Sequence, residues 1–217
     1  MKGIEMDQIK IENLCKKING KDILKNISLT LNYGEIYGVV GRNGSGKTML
    51  FRALSGLIRP TSGRILVKGR VLYQEIPIIE KLGIVIENTG LYPEFTGFEN
   101  LRFLASVNEW IGESEIRKAI QRVGLDPNDK RSVKKYSLGM KQRILIAQAI
   151  MEKPEVLLLD EPTNALDEEG IELIRKIIKE EATRGALVVV ASHNKEDISL
   201  LCNEIYSMNT GELRCSE

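Results

Sequence analysis

The chain of 217 residues is long enough to bury the hydrophobic core of one full-size domain. Its 31 lysine and arginine residues nearly balance 30 aspartate and glutamate residues, which excludes the strongly basic class of nucleic-acid-binding proteins. The three cysteines are odd in number and lack metal-ligand spacing, so we expect no disulfide framework and a reducing, cytoplasmic setting. No signal peptide is expected, and no apolar run is long enough to span a bilayer, so a membrane part would belong to another chain.

The first third of the chain predicts β-structure around one helix. Alternating apolar and polar residues at Ile9–Leu14 and Ile27–Leu31 predict two half-buried antiparallel strands. The elements predicted after them are, in order, a buried strand at Gly34–Val40, a helix at Lys47–Leu54, and short strands at Arg64–Gly69 and Lys81–Ile86.

The pattern becomes helical from about residue 88 to residue 150. Glu115–Val123 places its apolar residues on one helical face and is followed by Gly124 as a C-terminal cap. Leu138–Glu152 predicts a second helix, which closes before Pro154.

Strand and helix then alternate, which predicts a parallel sheet flanked by helices. The predicted elements are a strand at Val156–Asp160, a helix around Gly170–Thr183, a strand at Ala186–Ala191, and a closing hairpin formed by Glu204–Met208 and Leu213. We therefore predict an α/β fold in a single domain, 1–217, with a core (1–87 and 151–217) and a helical subdomain (88–150).

The segment after the third strand satisfies the phosphate-binding P-loop pattern. Its glycines let backbone N–H groups approach a phosphate, Lys47 reaches the terminal phosphates as a point charge, and the Thr48 hydroxyl is a ligand for Mg²⁺. The following helix turns its positive end toward the anion. We expect the whole segment to bind the phosphates of a nucleotide: Gly41, Arg42, Asn43, Gly44, Ser45, Gly46, Lys47, Thr48 and Met49.

Two carboxylates, Asp160 and Glu161, follow four apolar residues at the end of a predicted buried strand. Open α/β sheets bind ligands at this edge, so we expect Asp160 to hold Mg²⁺ and Glu161 to orient and polarise an attacking water. Alone, such a pair would more often be an ordinary acidic strand end. The P-loop in the same chain favours the catalytic interpretation.

Together these motifs resemble one family, the ATP-binding cassette (ABC) ATPases, which are the nucleotide-binding subunits of ABC transporters. The segment Tyr136–Arg143 looks like a variant of the family's Leu-Ser-Gly-Gly-Gln signature. Ser137 is a good N-cap for a helix whose free N–H groups would face a phosphate. The resemblance implies that Ser137 and Gly139 bind ATP held by the opposite subunit; the alternative is a serine-capped amphipathic helix without a ligand.

Two more residues match family positions. The segment ending in Asp167 resembles the family's D-loop, which implies that Asp167 helps to shape a dimer interface near the attacking water; it would also serve as the cap of the next helix. His193, the only histidine, follows a third strand end and matches the switch histidine that senses the γ-phosphate. A lone histidine is more often a surface or core residue, but its place at a strand end favours the functional interpretation.

Two positions depart from the family pattern. Glu87 stands where the family usually has a glutamine that ligates Mg²⁺; a carboxylate can replace it but adds a charge beside Asp160 and Glu161. Ile18 stands where an aromatic residue usually stacks on adenine, so we expect base stacking to be weaker or supplied elsewhere.

The resemblance covers almost the whole chain and implies a RecA-like P-loop core, mainly a parallel sheet, with an N-terminal antiparallel β portion and a helical subdomain. It implies an ATPase that uses ATP and Mg²⁺ and pairs head to tail with an identical or related ATPase subunit. Alternatives are a soluble ABC-type ATPase acting on ribosomes or DNA, and a regulatory subunit that binds nucleotide without hydrolysing it.

The resemblance also implies a membrane-spanning transporter subunit as partner, a peripheral place on the cytoplasmic face of the membrane, and no nucleic-acid partner. Part of Leu91–Leu101, which holds three aromatic residues, would form the groove for a cytoplasmic helix of that subunit; inward packing of these residues is the alternative. Similarity to bacterial peptide-antibiotic and multidrug exporters favours export.

Overall fold

The computed structural model describes residues 8–86, 90–193 and 195–216. Within them the strands are β1 (Gln8–Ile18), β2 (Lys21–Asn32), β3 (Ile36–Val40), β4 (Ser62–Val67), β5 (Arg70–Val71), β6 (Leu82–Val85), β7 (Val156–Asp160), β8 (Leu187–Ser192), β9 (Glu204–Asn209) and β10 (Glu212–Cys215). The helices are α1 (Lys47–Leu54), α2 (Gly97–Asn108), α3 (Glu113–Arg122), α4 (Leu138–Ile150), α5 (Glu168–Thr183) and α6 (Lys195–Leu201). No helix in this described part has the length and apolar character needed to cross a bilayer.

The N-terminal strands form an antiparallel sheet with the order β2-β1-β4-β5. Strand β1 pairs Ile9 with Leu31, and both side chains are buried. The register shifts between Ile11 and Leu14, where Asn13 takes a φ of 49°. This bulge lets two apolar residues three positions apart both point into the core, which a regular strand would not allow. The predicted antiparallel pair is confirmed.

The second sheet has the order β10-β9-β3-β8-β7-β6 and is parallel apart from the β9–β10 hairpin. Strands β7 and β8, both interior strands of this sheet, are buried almost throughout. Continuous apolar sequence is what a parallel strand covered on both faces requires. The predicted α/β class with a mainly parallel sheet is confirmed.

The two faces of this sheet pack into two separate hydrophobic clusters. Leu157 and Leu159 join residues of α2 to α6 in one cluster, whereas Val156 and Leu158 join α1 and the antiparallel sheet in the other. Since successive side chains of a strand point to opposite faces, the parallel sheet is the middle of three layers. Its parallel strands β3, β7 and β8 end at the same edge, and that edge carries the site.

Several predicted boundaries match the structure closely. Helix α1 and strand β7 have the predicted bounds, Lys47–Leu54 and Val156–Asp160. Helix α3 ends at Arg122, and Gly124 takes a φ of 74° shortly after it, as a C-terminal cap does. Helices α2, α3 and α4 fall within residues 88–150. The division of the chain into a core and a helical subdomain stays a prediction.

Helix α2 is an element that the sequence patterns above do not single out. It begins with a capping box, in which Glu99 N donates to Thr96 Oγ1 at 3.2 Å and Thr96 N donates to Glu99 Oε2 at 2.8 Å. A threonine followed three residues later by a glutamate is a readable helix start. The signal was therefore present in the sequence.

Candidate active site

The P-loop connects the end of β3 to the first turn of α1, and its glycines are required by the backbone. Gly44 and Gly46 take φ values of 79° and 114°, in the left-handed region that disfavours side chains. A Cβ at Gly41 would lie 2.4 Å from the carbonyl oxygen of Met208, so no larger residue fits there. The loop is thus a cradle of backbone N–H groups at the N-terminus of α1, where an anion is favoured.

Lys47 and Ser45 supply polar side chains inside this cradle. The Lys47 ammonium group donates to the carbonyl oxygens of Gly41 at 2.6 Å and Arg42 at 3.3 Å, which leaves one of its three donors for a phosphate. Ser45 Oγ is buried and has no hydrogen-bond partner among the described residues. A buried hydroxyl without a partner beside a glycine cradle fits a bound phosphate.

Thr48 and Asp160 meet at the edge of the sheet and provide oxygen ligands for a metal. Thr48 Oγ1 donates to Asp160 Oδ2 at 2.7 Å. A hydroxyl and a carboxylate suit Mg²⁺, which is usually held by one or two protein carboxylates together with phosphates of the substrate. In the described ranges, no three histidine, cysteine, aspartate or glutamate side chains cluster as a metal site. Glu87, the third expected ligand, lies outside the described residues.

Glu161 and His193 lie together because β7 and β8 are parallel neighbours, with Glu161 N donating to Ala191 O at 2.8 Å. The Glu161 carboxylate accepts hydrogen bonds from His193 N at 3.0 Å and from Ser192 Oγ at 3.2 Å. Its Oε2 also lies 2.8 Å from His193 Nδ1. The carboxylate is therefore fixed by the residues that end β8, while the side chain of His193 stays 68% exposed and can reach a ligand.

Gln142 holds the backbone after β7 in place, a role that the sequence analysis missed. Glu161 has a φ of 51°, a conformation that costs a non-glycine residue about 1–3 kcal/mol and is concentrated at functional sites. The buried Gln142 side chain donates from Nε2 to Glu161 O at 3.2 Å and to Pro162 O at 3.1 Å. A glutamine among the buried apolar residues of α4 was the signal that could have found it.

Asp167 caps helix α5, which confirms the capping role predicted from the sequence. Its Oδ1 accepts from Gly170 N at 3.0 Å and from Arg143 Nη2 at 3.1 Å. Arg143 lies on α4, so this contact links α4 to the start of α5. The part of Asp167 in a dimer interface stays a prediction.

Ser137 caps helix α4, accepting from Met140 N at 3.1 Å, and is exposed to solvent. A Cβ at Gly139 would lie 2.8 Å from the carbonyl oxygen of Ala165, so glycine allows α4 to pack against the segment after β7. Tyr136, just before the cap, is buried, and burial raises the pKa of its hydroxyl. Tyr136 and Gly139 therefore hold the start of α4 against the rest of the fold, while Ser137 and Leu138 are exposed to solvent.

A cavity of about 850 Å³ lies between the P-loop, the end of β7 and helix α4. Lys47, Thr48, Asp160 and Glu161 all line it, so the structure brings these predicted residues to one place. Its other lining residues in the described chain are Ile23, Asn43, Gly44, Gly46, Met49, Val85, Leu91, Pro93, Val133, Lys134, Leu138, Lys141, Gln142, Leu145, Asn164 and Ala165. The cavity combines positive charge with two carboxylates, as a metal–triphosphate site requires.

Residues 24–164 match the profile of the family described as ABC transporter. The chain belongs to the ABC transporter family. It is 49% identical over 209 residues to YybJ, an uncharacterized ABC transporter ATP-binding protein of Bacillus subtilis (strain 168), with 96% of each chain covered. It is 38% identical over 207 residues to the bacitracin transport ATP-binding protein BcrA of Enterococcus faecalis, covering 94% of this chain and 67% of BcrA.

A solved ABC structure has the same fold. The ATP-binding cassette MJ0796, determined as a dimer in a post-hydrolysis state bound to ADP and Pi, matches with a TM-score of 0.86 and 26% identity. The match covers 96% of this chain and 98% of that chain. The predicted family and fold class are both confirmed by these comparisons.

Of the predicted site residues that the structure describes in this ABC protein, eight do not line the cavity: Ile18, Gly41, Arg42, Ser45, Ser137, Gly139, Asp167 and His193. Ser137 and Gly139 lie at the outer end of α4, and Ile18 lies at the end of β1 with 38% of its surface exposed. Ile23, which the sequence analysis did not consider, lines the cavity instead. The nucleotide contacts of Ser137, Gly139 and Ile18 stay predictions.

Proposed function

We propose that this chain hydrolyses ATP and, through that reaction, powers export through a separate membrane-spanning subunit. The observation that carries the proposal is the convergence of Lys47, Thr48, Asp160 and Glu161 on one cavity, with His193 bonded to Glu161. The relationship to a bacitracin transport ATP-binding protein supports transport over action on ribosomes or DNA. It also supports a peripheral place at the cytoplasmic face of the membrane.

The reaction is the transfer of the γ-phosphoryl group of ATP to water. The glycine cradle and Lys47 bind the phosphates, and Thr48 and Asp160 would hold Mg²⁺, which neutralises charge on the phosphate oxygens. Glu161 orients water and accepts its proton as the water oxygen bonds to the γ-phosphorus. The bond to the β–γ bridging oxygen breaks, and its electron pair leaves on ADP. His193 fixes the Glu161 carboxylate, and its side chain is exposed enough to contact the γ-phosphate.

The first turn of α4 supports a head-to-tail dimer. Ser137 is exposed there, and the free N–H groups of this turn are favourable for an anion. Neither Ser137 nor Gly139 lines the cavity of its own chain in the described residues, so we assign the phosphate they suit to a second cassette. The dimeric form of MJ0796 agrees with such pairing. The second cassette is either an identical or a related subunit.

An exposed aromatic cluster supports the membrane partner. The ring centroid of Tyr92 lies 5.3 Å from that of Phe95 and 5.1 Å from that of Phe103, and the three residues are 39–46% exposed. Asn100 is buried and fixes this loop, with its Oδ1 accepting from Tyr92 N at 2.6 Å. An exposed apolar cluster on a fixed loop is typical of a protein-binding surface. We assign it to a helix of the membrane-spanning subunit.

The proposal is tested by purification from membranes. A tagged chain should co-purify with a protein that has several membrane-spanning segments, and replacing Tyr92 and Phe103 by serine should abolish this without changing ATP binding. Replacing the exposed Leu200 by serine is the control, because it lies on α6, outside the aromatic cluster. Co-purification of ribosomes or DNA in place of a membrane protein would contradict the proposal.

A further inference from the structure

A buried acidic residue lies behind the Glu161–His193 pair and is not part of the cavity. The Asp197 side chain is 1% exposed. Its Oδ2 accepts from Thr163 Oγ1 at 2.5 Å, and its Oδ1 accepts from Arg175 Nε at 2.9 Å and Arg175 Nη2 at 2.5 Å. A buried carboxylate of this kind is retained only when hydrogen bonds and an opposite charge compensate for lost hydration.

The three residues of this cluster come from three different segments next to the Glu161–His193 pair. Thr163 follows Glu161 by two residues, Asp197 lies in α6 just after His193, and Arg175 lies in α5, the helix capped by Asp167. The cluster therefore joins the segments that leave β7 and β8. Those are the segments whose ends must stay aligned for His193 N and Nδ1 to meet the Glu161 carboxylate.

We infer that Asp197 is a positioning residue for ATP hydrolysis: through Thr163 and Arg175 it holds the His193 segment against Glu161. The inference rests on the proposed function and adds to it a residue outside the nucleotide cavity. Asp197 does not line that cavity, so its loss leaves the phosphate cradle intact and misaligns the catalytic pair. Small misplacements of catalytic groups have large effects on rate.

Thr163 gives the cleanest variants. Thr163→Val removes the hydroxyl that donates to Asp197 and keeps nearly the same volume, whereas Thr163→Ser keeps the hydroxyl. Asp197→Asn removes the charge facing Arg175 and is the second test. The control is Glu181→Gln, since Glu181 is also buried and is bonded to Arg122 and Arg184. It lies beside the start of β8, at the other end from His193.

Two readouts decide the inference. The kcat for ATP should fall about tenfold or more in Thr163→Val and Asp197→Asn. The KM for ATP should stay within about twofold. Thr163→Ser and Glu181→Gln should keep the wild-type kcat.

Because the chain has one histidine, imidazole NMR signals from ¹⁵N-histidine-labelled protein without a histidine tag report on His193 alone. Those signals should shift in Thr163→Val and Asp197→Asn and stay unchanged in the two other variants.

An unchanged His193 spectrum in both Thr163→Val and Asp197→Asn would overturn the inference, and so would a wild-type kcat in Thr163→Val. A kcat loss of equal size in Glu181→Gln would also overturn it, because buried charge in general would then explain the effect. If the wild-type chain binds but does not hydrolyse ATP, the proposed function fails, and the His193 spectrum still decides whether Asp197 positions this residue.

Discussion

Thr48 Oγ1 lies 2.7 Å from Asp160 Oδ2, although the two residues are 112 positions apart in the chain. The contact joins the first turn of α1 to the end of β7. It places the phosphate cradle and the carboxylate edge at one point, which is the arrangement that Mg²⁺ and a triphosphate require.

The Thr48–Asp160 contact predicts the effect of changing the hydroxyl. In Thr48→Val the proposed Mg²⁺ site would lose a ligand and Asp160 would lose a hydrogen bond, so we expect Mg²⁺-dependent ATP hydrolysis to fall about 10- to 100-fold. Thr48→Ser keeps the oxygen and should keep most of the activity. Hydrolysis rates measured across Mg²⁺ concentrations check this, and equal profiles for Thr48→Val and the wild type would refute the metal assignment.

Two substitutions of Asp167 separate its role as the cap of α5 from its predicted role between subunits. Asp167→Ala removes the cap of α5 and should lower the free energy of unfolding by about 1 kcal/mol, whereas asparagine is itself a good cap and should leave it nearly unchanged. Urea unfolding measures both. If the carboxylate also acts in a dimer, Asp167→Asn should lower ATP hydrolysis while stability holds; full activity in Asp167→Asn would leave it as a cap only.

Gly139 is predicted to tolerate no side chain. Gly139→Ala places a Cβ 2.8 Å from Ala165 O, so the start of α4 or the segment after β7 must shift, at a cost of about 1–3 kcal/mol. Gly112, at the start of α3, has no backbone atom near its added Cβ, and Gly112→Ala is the matched control. Thermal unfolding of the two variants should differ clearly, and similar midpoints would show that the Ala165 contact is loose.

Glu87 carries a prediction that comes from the sequence. A carboxylate at the position that the family resemblance implies would add a third negative charge to those of Asp160 and Glu161. Glu87→Gln should therefore alter the pH dependence or the Mg²⁺ dependence of ATP hydrolysis. Steady-state hydrolysis measured over pH and Mg²⁺ decides this, and identical profiles for both proteins would rule the effect out.

The local parts of this site could be predicted because short-range patterns determine them. The glycine spacing before Lys47 and the apolar run before Asp160 each specify one element and its end, and both were located correctly. The start of α2 at Thr96 was equally readable from its capping box.

The long-range contacts could not be predicted in the same way. Gln142 reaches Glu161 from helix α4, and Ile23 reaches the cavity from β2. The Thr163–Asp197–Arg175 cluster joins three elements that have no shared sequence pattern. Such contacts depend on how layers pack and on which buried polar groups must find partners, and only the folded chain shows this.

The most direct test of the account is Mg²⁺-dependent ATP hydrolysis by the purified chain over a range of protein concentrations, with Glu161→Gln compared by light scattering. We predict a rate that rises faster than linearly with concentration, a loss of about 10²-fold or more in Glu161→Gln, and an ATP-dependent dimer of that variant. Hydrolysis strictly proportional to concentration, or full activity in Glu161→Gln, would contradict a catalytic site shared between two cassettes.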